Sequence, residues 1–332
     1  MSYDHYSSIL IADAPIRGQK HPGIWIASLL ALSLFVACEE SADDSAKTGG
    51  GTGGTDSSDS GATDTGMTAE DIGNSCVENT DCSSGVCLQY SDSPDDPDAV
   101  CGGNVELGAF RATGVARDFF TGDVLANAHV GIADALAALM NPLVTPFAET
   151  TTDSEGRYDV TTPVAPGGIG SLAVLNLEGY WITATGLVAP EAGVYPPGVT
   201  VHELWSISET ELAGWNSALE GEVDLATHLP LGTNGGVVGL ARDRQTGVPL
   251  GGVTVLPKAD SSTAILRYLS EDGTSFTTQG TASKGLFVIL NPGVGESFTA
   301  DIGAGPIEAV SGKAGATPGA LFVTVLNVPT GN

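Results

Sequence analysis

Four cysteines, Cys76, Cys82, Cys87 and Cys101, fall within residues 76–101. Thiols this close either pair with one another or hold a metal. The gaps in CVENTDCSSGVC are five and four residues, and the C-x-x-C knuckle that sets two thiolates on one zinc ion is absent. An even set in an oxidising compartment therefore points to two disulfides, with three pairings open. His129, His202 and His228 are the histidines after residue 37. His202 and Glu203 are adjacent in VHELW, residue types that a hydrolytic metal site uses, but adjacent strand residues face opposite ways and H-E-x-x-H does not occur. Asp92, Asp95, Asp96 and Asp98 crowd SDSPDDPDAV without the glycine and terminal glutamate of an EF-hand loop, so they read as a solvated acidic loop. G-x-S-x-G is missing, GTASKG at 280–285 is a turn, and GGGTGG has no strand before it. These residues assemble no catalytic site and call for no cofactor or metal.

Cys38 is a separate case. It ends LFVAC, after an uncharged run from Gly23 to Ala37 that follows Arg17, Lys20 and His21. At 15 residues the run is short for a membrane span and fits the core of a secretory signal over residues 1–37. With small Ala37 before the cysteine, the stretch resembles a bacterial lipobox, although Phe35 stands where leucine is usual. The resemblance implies cleavage before Cys38 and lipidation of its sulfur, hence a membrane partner through the lipid. It places the protein in a bacterial cell envelope, at the outer membrane where there are two. Setting Cys38 aside also turns an odd count of five cysteines into an even four.

Residues 39–75 contain almost no large apolar side chains and cannot offset the entropy of ordering. They read, with Cys38, as a disordered spacer over 38–75, reaching on the order of 35 Å. Residues 76–105 are too few for a core, so the disulfides must staple them. The whole chain of 332 residues has 12 Lys+Arg against 40 Asp+Glu, a net charge of −28 that repels phosphate backbones and excludes nucleic acid as a partner. Its 45 glycines and 18 prolines favour many short strands joined by turns.

An internal repeat organises the rest. TGVARDFFTGDVLANAHV, residues 113–130, aligns with VGLARDRQTGVPLGGVTV, residues 238–255. The shared positions include Gly114 and Gly239, Arg117 and Arg242, Asp118 and Asp243, and Leu125 and Leu250. A second signature follows in each copy, TDSEGRYDV at 152–160 and TASKGLFVI at 281–289. Val130 and Ile132 alternate with His129 and Gly131, and Val253 and Val255 with Thr254, the period of a strand with one face buried. The fold class expected is all-β: two tandem sandwiches, 106–207 and 236–332, joined by a connector at 208–235. Within the connector, Ser208 and Glu211 have capping-box spacing and predict a helix from Glu209 to Leu219, its stripe of Leu212, Trp215 and Leu219 packed on a sheet. ADALAALMN at 133–141 predicts a further helical turn or two.

The paired signatures resemble the carboxypeptidase regulatory-like domain, a transthyretin-like β-sandwich. That family implies a spacing, stabilising or ligand-presenting module rather than one activity. A relative of the fold makes Lys–Asn isopeptide bonds from a lysine two places before the first strand's Asp. Ala116 and Ala241 occupy those places, so the resemblance implies none here. Trp181, Tyr195 and Trp205 fall between the signatures, where exposed rings would stack on sugars or anchor a protein, although core packing is the commoner fate. The expectation is a lipid-anchored, non-catalytic surface protein used for spacing, adhesion or binding of peptide or glycan. The alternative is a metal-dependent hydrolase with its site on first-module loops near His202.

Overall fold

A computed structural model describes residues 71–91, 98–105, 109–162, 171–187 and 198–330. The leader, Cys38, the spacer up to residue 70, Asp92, Asp95, Asp96 and Tyr195 lie outside them. Among the described residues there are eighteen strands and two α-helices. The cysteine-rich segment holds β1 (Cys87–Leu88) and β2 (Val100–Cys101). The first repeat holds β3 (Phe110–Asp118), β4 (His129–Asp134), α1 (Ala135–Met140), β5 (Ala148–Thr151), β6 (Arg157–Thr162), β7 (Ser171–Asn176), β8 (Thr183–Leu187), β9 (Val199–Val201) and β10 (Leu204–Ser206). After α2 (Glu209–Leu219) the second repeat holds β11 (Val237–Asp243), β12 (Thr254–Pro257), β13 (Ile265–Leu269), β14 (Phe276–Thr277), β15 (Leu286–Leu290), β16 (Glu296–Asp301), β17 (Pro306–Ala314) and β18 (Leu321–Val328).

Both repeats build the same local lock. Gly114 pairs across the ladder with Tyr158, and Gly239 with Phe287. A Cβ on Gly239 would overlap the Phe287 ring, and one on Gly114 would strike the His202 carbonyl, so each repeated glycine makes room for a close approach. The repeated threonine does the pinning. Thr152 Oγ1 donates to Leu125 O at 2.6 Å and accepts from Ala128 N at 2.8 Å. Thr281 Oγ1 does the same with Leu250 O at 2.6 Å and Val253 N at 3.0 Å. Asp118 and Asp243 close the Thr-Gly turns by accepting from the amides of Thr121 (2.8 Å) and Thr246 (2.7 Å). The recurring residues are thus one hydrogen-bonded unit, used twice.

The all-β expectation matches what is observed, and the sheets show how the repeats are joined. β3, flanked by β6 and by β9 and β10, forms one layer of the first sandwich, over a core of Phe110, Val130, Ile132, Tyr158 and Leu175. β12, β16 and β17 form one layer of the second. The remaining layers merge into one nine-stranded sheet, β14-β13-β15-β11-β18-β8-β7-β4-β5. The seam is β18, parallel to β11 through Val237↔Phe322 to Asp243↔Val328 and parallel to β8 through Leu321↔Thr183 to Val323↔Thr185. Ala133, Ala138, Leu172 and Ala184 of the first repeat accordingly pack in the same core as Val253, Phe287, Phe298 and Phe322 of the second.

α2 covers the opposite face of the second repeat's sheet. Leu212, Trp215 and Leu219 are buried against Val238, Leu240, Val288 and Val323. That explains why LFVIL in β15 is buried at every position and lacks a period of two. Ser208 caps α2 as expected, its Oγ accepting from Glu211 N at 3.1 Å. The Glu211 carboxylate does not turn back to the cap; it accepts from Trp215 Nε1 at 2.8 Å, one helical turn on. α1 is capped by Asp134, which accepts from Ala137 N at 2.9 Å.

Candidate functional site

The four cysteines pair as Cys76–Cys87 and Cys82–Cys101 and form a small core with Ala99. The sulfurs of Cys76, Cys82 and Cys87 lie within 4.8 Å of one another because two bridges sit side by side. As disulfides they are not thiolate ligands for a metal. The segment is docked on the first sandwich: Thr113 Oγ1 donates to Gln89 O at 2.7 Å, Arg111 Nη1 to Gly103 O at 3.0 Å, and Arg157 pairs with Asp98 at 3.0 Å. Asp98, expected in a solvated loop, is therefore an ion-pair partner. The last residues of the expected spacer bond to the same segment. Gly73 N donates to Cys101 O at 2.9 Å, Cys101 N donates to Asn74 O at 2.8 Å, and Ser75 bridges Val100, so residues 73–75 belong to the stapled segment. Their backbone uses hydrogen-bonding groups that the short strand β2 leaves open.

The histidines do not converge. His129 is exposed and paired with Glu149 at 3.1 Å, and His202 Nε2 lies 3.2 Å from Thr200 Oγ1. Among the described residues, no three His, Asp or Glu side chains bring ligating atoms within 4.8 Å of one another. The main contribution of His202 is its carbonyl, which accepts from Tyr158 Oη at 2.7 Å. Burial, followed by the nearby Glu203 charge, pushes the Tyr158 hydroxyl far above its ordinary pKa.

Of the three aromatics considered for stacking, the two tryptophans can be placed. Trp205 is 8 % exposed and packs edge-on to Phe119, with centroids 6.2 Å apart. Alternation along β10 would have put either Leu204 or Trp205 outside. Both are buried because Leu204 faces the first-repeat core and Trp205 faces the cluster under α2. Trp181 is half-buried against that same cluster and lies over Gly232. Neither ring is an open stacking platform.

What the structure brings together instead is a charged seam. Glu203, between β9 and β10, accepts from Arg242 Nη1 through Oε2 and meets Arg117 Nε through Oε1 at 3.4 Å. These are the two arginines of the repeated ARD signature, one from each copy. Arg242 also donates from Nε to Asn327 Oδ1 of β18 at 2.8 Å. The side chains of Glu203 and Arg242 are 11 % and 9 % exposed, that of Arg117 31 %. The arrangement neutralises a near-buried carboxylate with a guanidinium from each repeat. It fixes the repeats' orientation and offers no free base or nucleophile. The repeat alignment singled out both arginines; Glu203 was noticed only as the neighbour of His202.

At the end of β11, Asp243 is held near a pKa of about 2 by the Thr330 hydroxyl first, then by the Thr246 amide and hydroxyl. Asp272, in the turn before β14, is likewise lowered to about 2, chiefly by the Ser270 hydroxyl and the Thr274 amide. Both carboxylates accept hydrogen bonds within turns, and their lowered values make them poor proton carriers at neutral pH.

No protein-family model matches the chain, and no curated protein matches it. Among solved structures it is similar to a streptococcal ancillary pilin, 13 % identical over 71 % of this chain and 67 % of that one, with a TM-score of 0.21. It is also similar to the shaft pilin of Lactobacillus rhamnosus GG, 13 % identical over 68 % and 98 %, TM-score 0.21, and to the major pilin subunit of Bacillus cereus, 11 % identical over 67 % and 70 %, TM-score 0.19. At such scores the chains do not superimpose as wholes, and the likeness carries neither activity nor assembly to this protein. No helix among the described residues is long and apolar enough to cross a membrane.

Proposed function

We propose that this is a lipid-anchored protein of the bacterial cell envelope whose two carboxypeptidase regulatory-like modules form one stiff, non-catalytic unit for spacing, adhesion or the presentation of a binding surface. The observation that carries the reading is the seam: β18 hydrogen-bonds to both repeats, and Glu203 ties the ARD arginine of one copy to that of the other. The polar residues repeated in both copies serve the turns, through Thr152, Thr281, Asp118 and Asp243, and this seam, through Arg117 and Arg242, an arrangement that supports holding shape rather than turning over substrate. The LFVAC sequence supplies the anchor, with Cys38 as the lipidated residue and the membrane as its first partner.

Fractionation tests the anchor. Cys38→Ser is expected to move the protein from the membrane fraction to the soluble fraction, and unchanged retention would refute it. Assays of the full chain against broad ester and peptide panels, with metal analysis of the same sample, test the non-catalytic part. Turnover with stoichiometric zinc would replace this reading with the hydrolase.

A further inference from the structure

One outer strand of the nine-stranded sheet, β14, borders a cleft of about 430 Å³ lined by Glu222, Arg267, Phe276, Thr277, Thr278 and Gln279. It lies where the loop after α2 passes β13 and β14. Arg267 is 8 % exposed and donates from Nε to Glu222 at 2.6 Å, from Nη2 to Asp224 at 2.7 Å and from Nη1 to Leu266 O at 2.9 Å. Those bonds use three of its five N–H groups, and its single positive charge is opposed by two carboxylates. An anion entering the cleft therefore meets no net attraction. The Thr278 hydroxyl and the Gln279 side-chain amide make no hydrogen bond within the described chain and line the same opening. Phe276 forms an apolar wall, braced edge-on by Trp215 at 5.8 Å.

A buried guanidinium with spare donors, a carboxylate oxygen, a hydroxyl, an amide and a phenyl ring make a mixed surface without net positive charge. Vicinal hydroxyls match such planar donor and acceptor pairs, and the C–H face of a sugar ring packs on a phenyl group. The volume is at the lower end of small-ligand sites. We propose that this cleft is a binding site for a neutral saccharide of one or two rings. The proposal rests on the surface-module reading and names what that surface would hold.

Saturation-transfer NMR on the full chain, with maltose, cellobiose, lactose and N,N′-diacetylchitobiose as neutral probes and sialyllactose as the anionic one, tests it. At least one neutral disaccharide is expected to bind, and more strongly than sialyllactose. The double substitution Thr278→Val with Gln279→Leu removes groups with no internal partner, so its melting temperature should stay at the parent value. It is expected to weaken binding about tenfold or more, the effect of losing one to two hydrogen bonds. Absence of binding by every neutral probe, equal binding by the double variant, preference for sialyllactose, or capture of an extended peptide along β14 in place of sugar would each overturn the proposal. Such a failure would leave the anchor and the stiff unit standing, because fractionation and enzyme assays test those independently.

Discussion

Replacing Glu203 with alanine takes away the carboxylate that the Nη1 of nearly buried Arg242 donates to, beside β18. Removing one partner of a buried ion pair typically costs about 3–5 kcal/mol. The Arg117 arm is about one-third exposed and longer, at 3.4 Å, so it adds at most about 0.5 kcal/mol. Because Arg242 keeps its bond to Asn327, the lower part of the range applies, and Glu203→Ala is expected to destabilise by about 3 kcal/mol. With a urea m-value of about 3 kcal/mol/M, the unfolding midpoint falls by about 1 M. Arg117→Ala should cost less than about 1 kcal/mol. Combining Glu203→Leu with Arg242→Met removes both charges and should return stability to within about 1 kcal/mol of the parent, giving a coupling energy of at least about 2 kcal/mol. A loss below about 1 kcal/mol for Glu203→Ala, or a double variant whose losses simply add, would refute the reasoning that Glu203 secures the seam.

Gly239→Ala places a methyl group where the Phe287 ring lies and should cost about 1–3 kcal/mol by overpacking, whereas Gly186→Ala, with open space around its Cβ, should stay within about 0.5 kcal/mol; equal thermal shifts would contradict the close-approach argument. The Asp243 carboxyl has a folded-state pKa of about 2 against an ordinary value of 3.8, so the stability it contributes is complete above about pH 4 and is lost as pH falls through about 2. In carboxyl NMR titrations its midpoint should lie near 2 and rise in Thr330→Val, and a midpoint near 4 in the parent would be incompatible with the observed hydrogen bonds.

Elements governed by local chemistry were legible in the sequence. The Asp-Thr-Gly turns, the paired threonines and the Ser208 cap each act within a few residues or within one repeat, so residue type and spacing sufficed to place them. The ends of α2 were readable for the same reason. What could not be read was pairing between distant segments. LFVTVLNV in β18 is a strand by composition, yet nothing in it specifies parallel partners on both sides, one of them well over a hundred residues earlier. The burial of Trp205 follows from that failure. Alternation along β10 predicts an exposed face only if nothing covers it, and α2 together with the second repeat does. Of the candidate residues, the four cysteines were identified correctly as disulfide-bonded, with their pairing left to the structure. Arg267 gave no signal, because its carboxylate partners, Glu222 and Asp224, lie in the connector more than forty residues away.

Differential scanning calorimetry of the full chain asks whether the two repeats are one mechanical unit joined through β18. One transition is expected for both repeats, with calorimetric and van't Hoff enthalpies in agreement, and that transition is lost as a whole when residues 321–328 are deleted. Two separable transitions, or a first repeat that still melts cooperatively at its original temperature without β18, would contradict it.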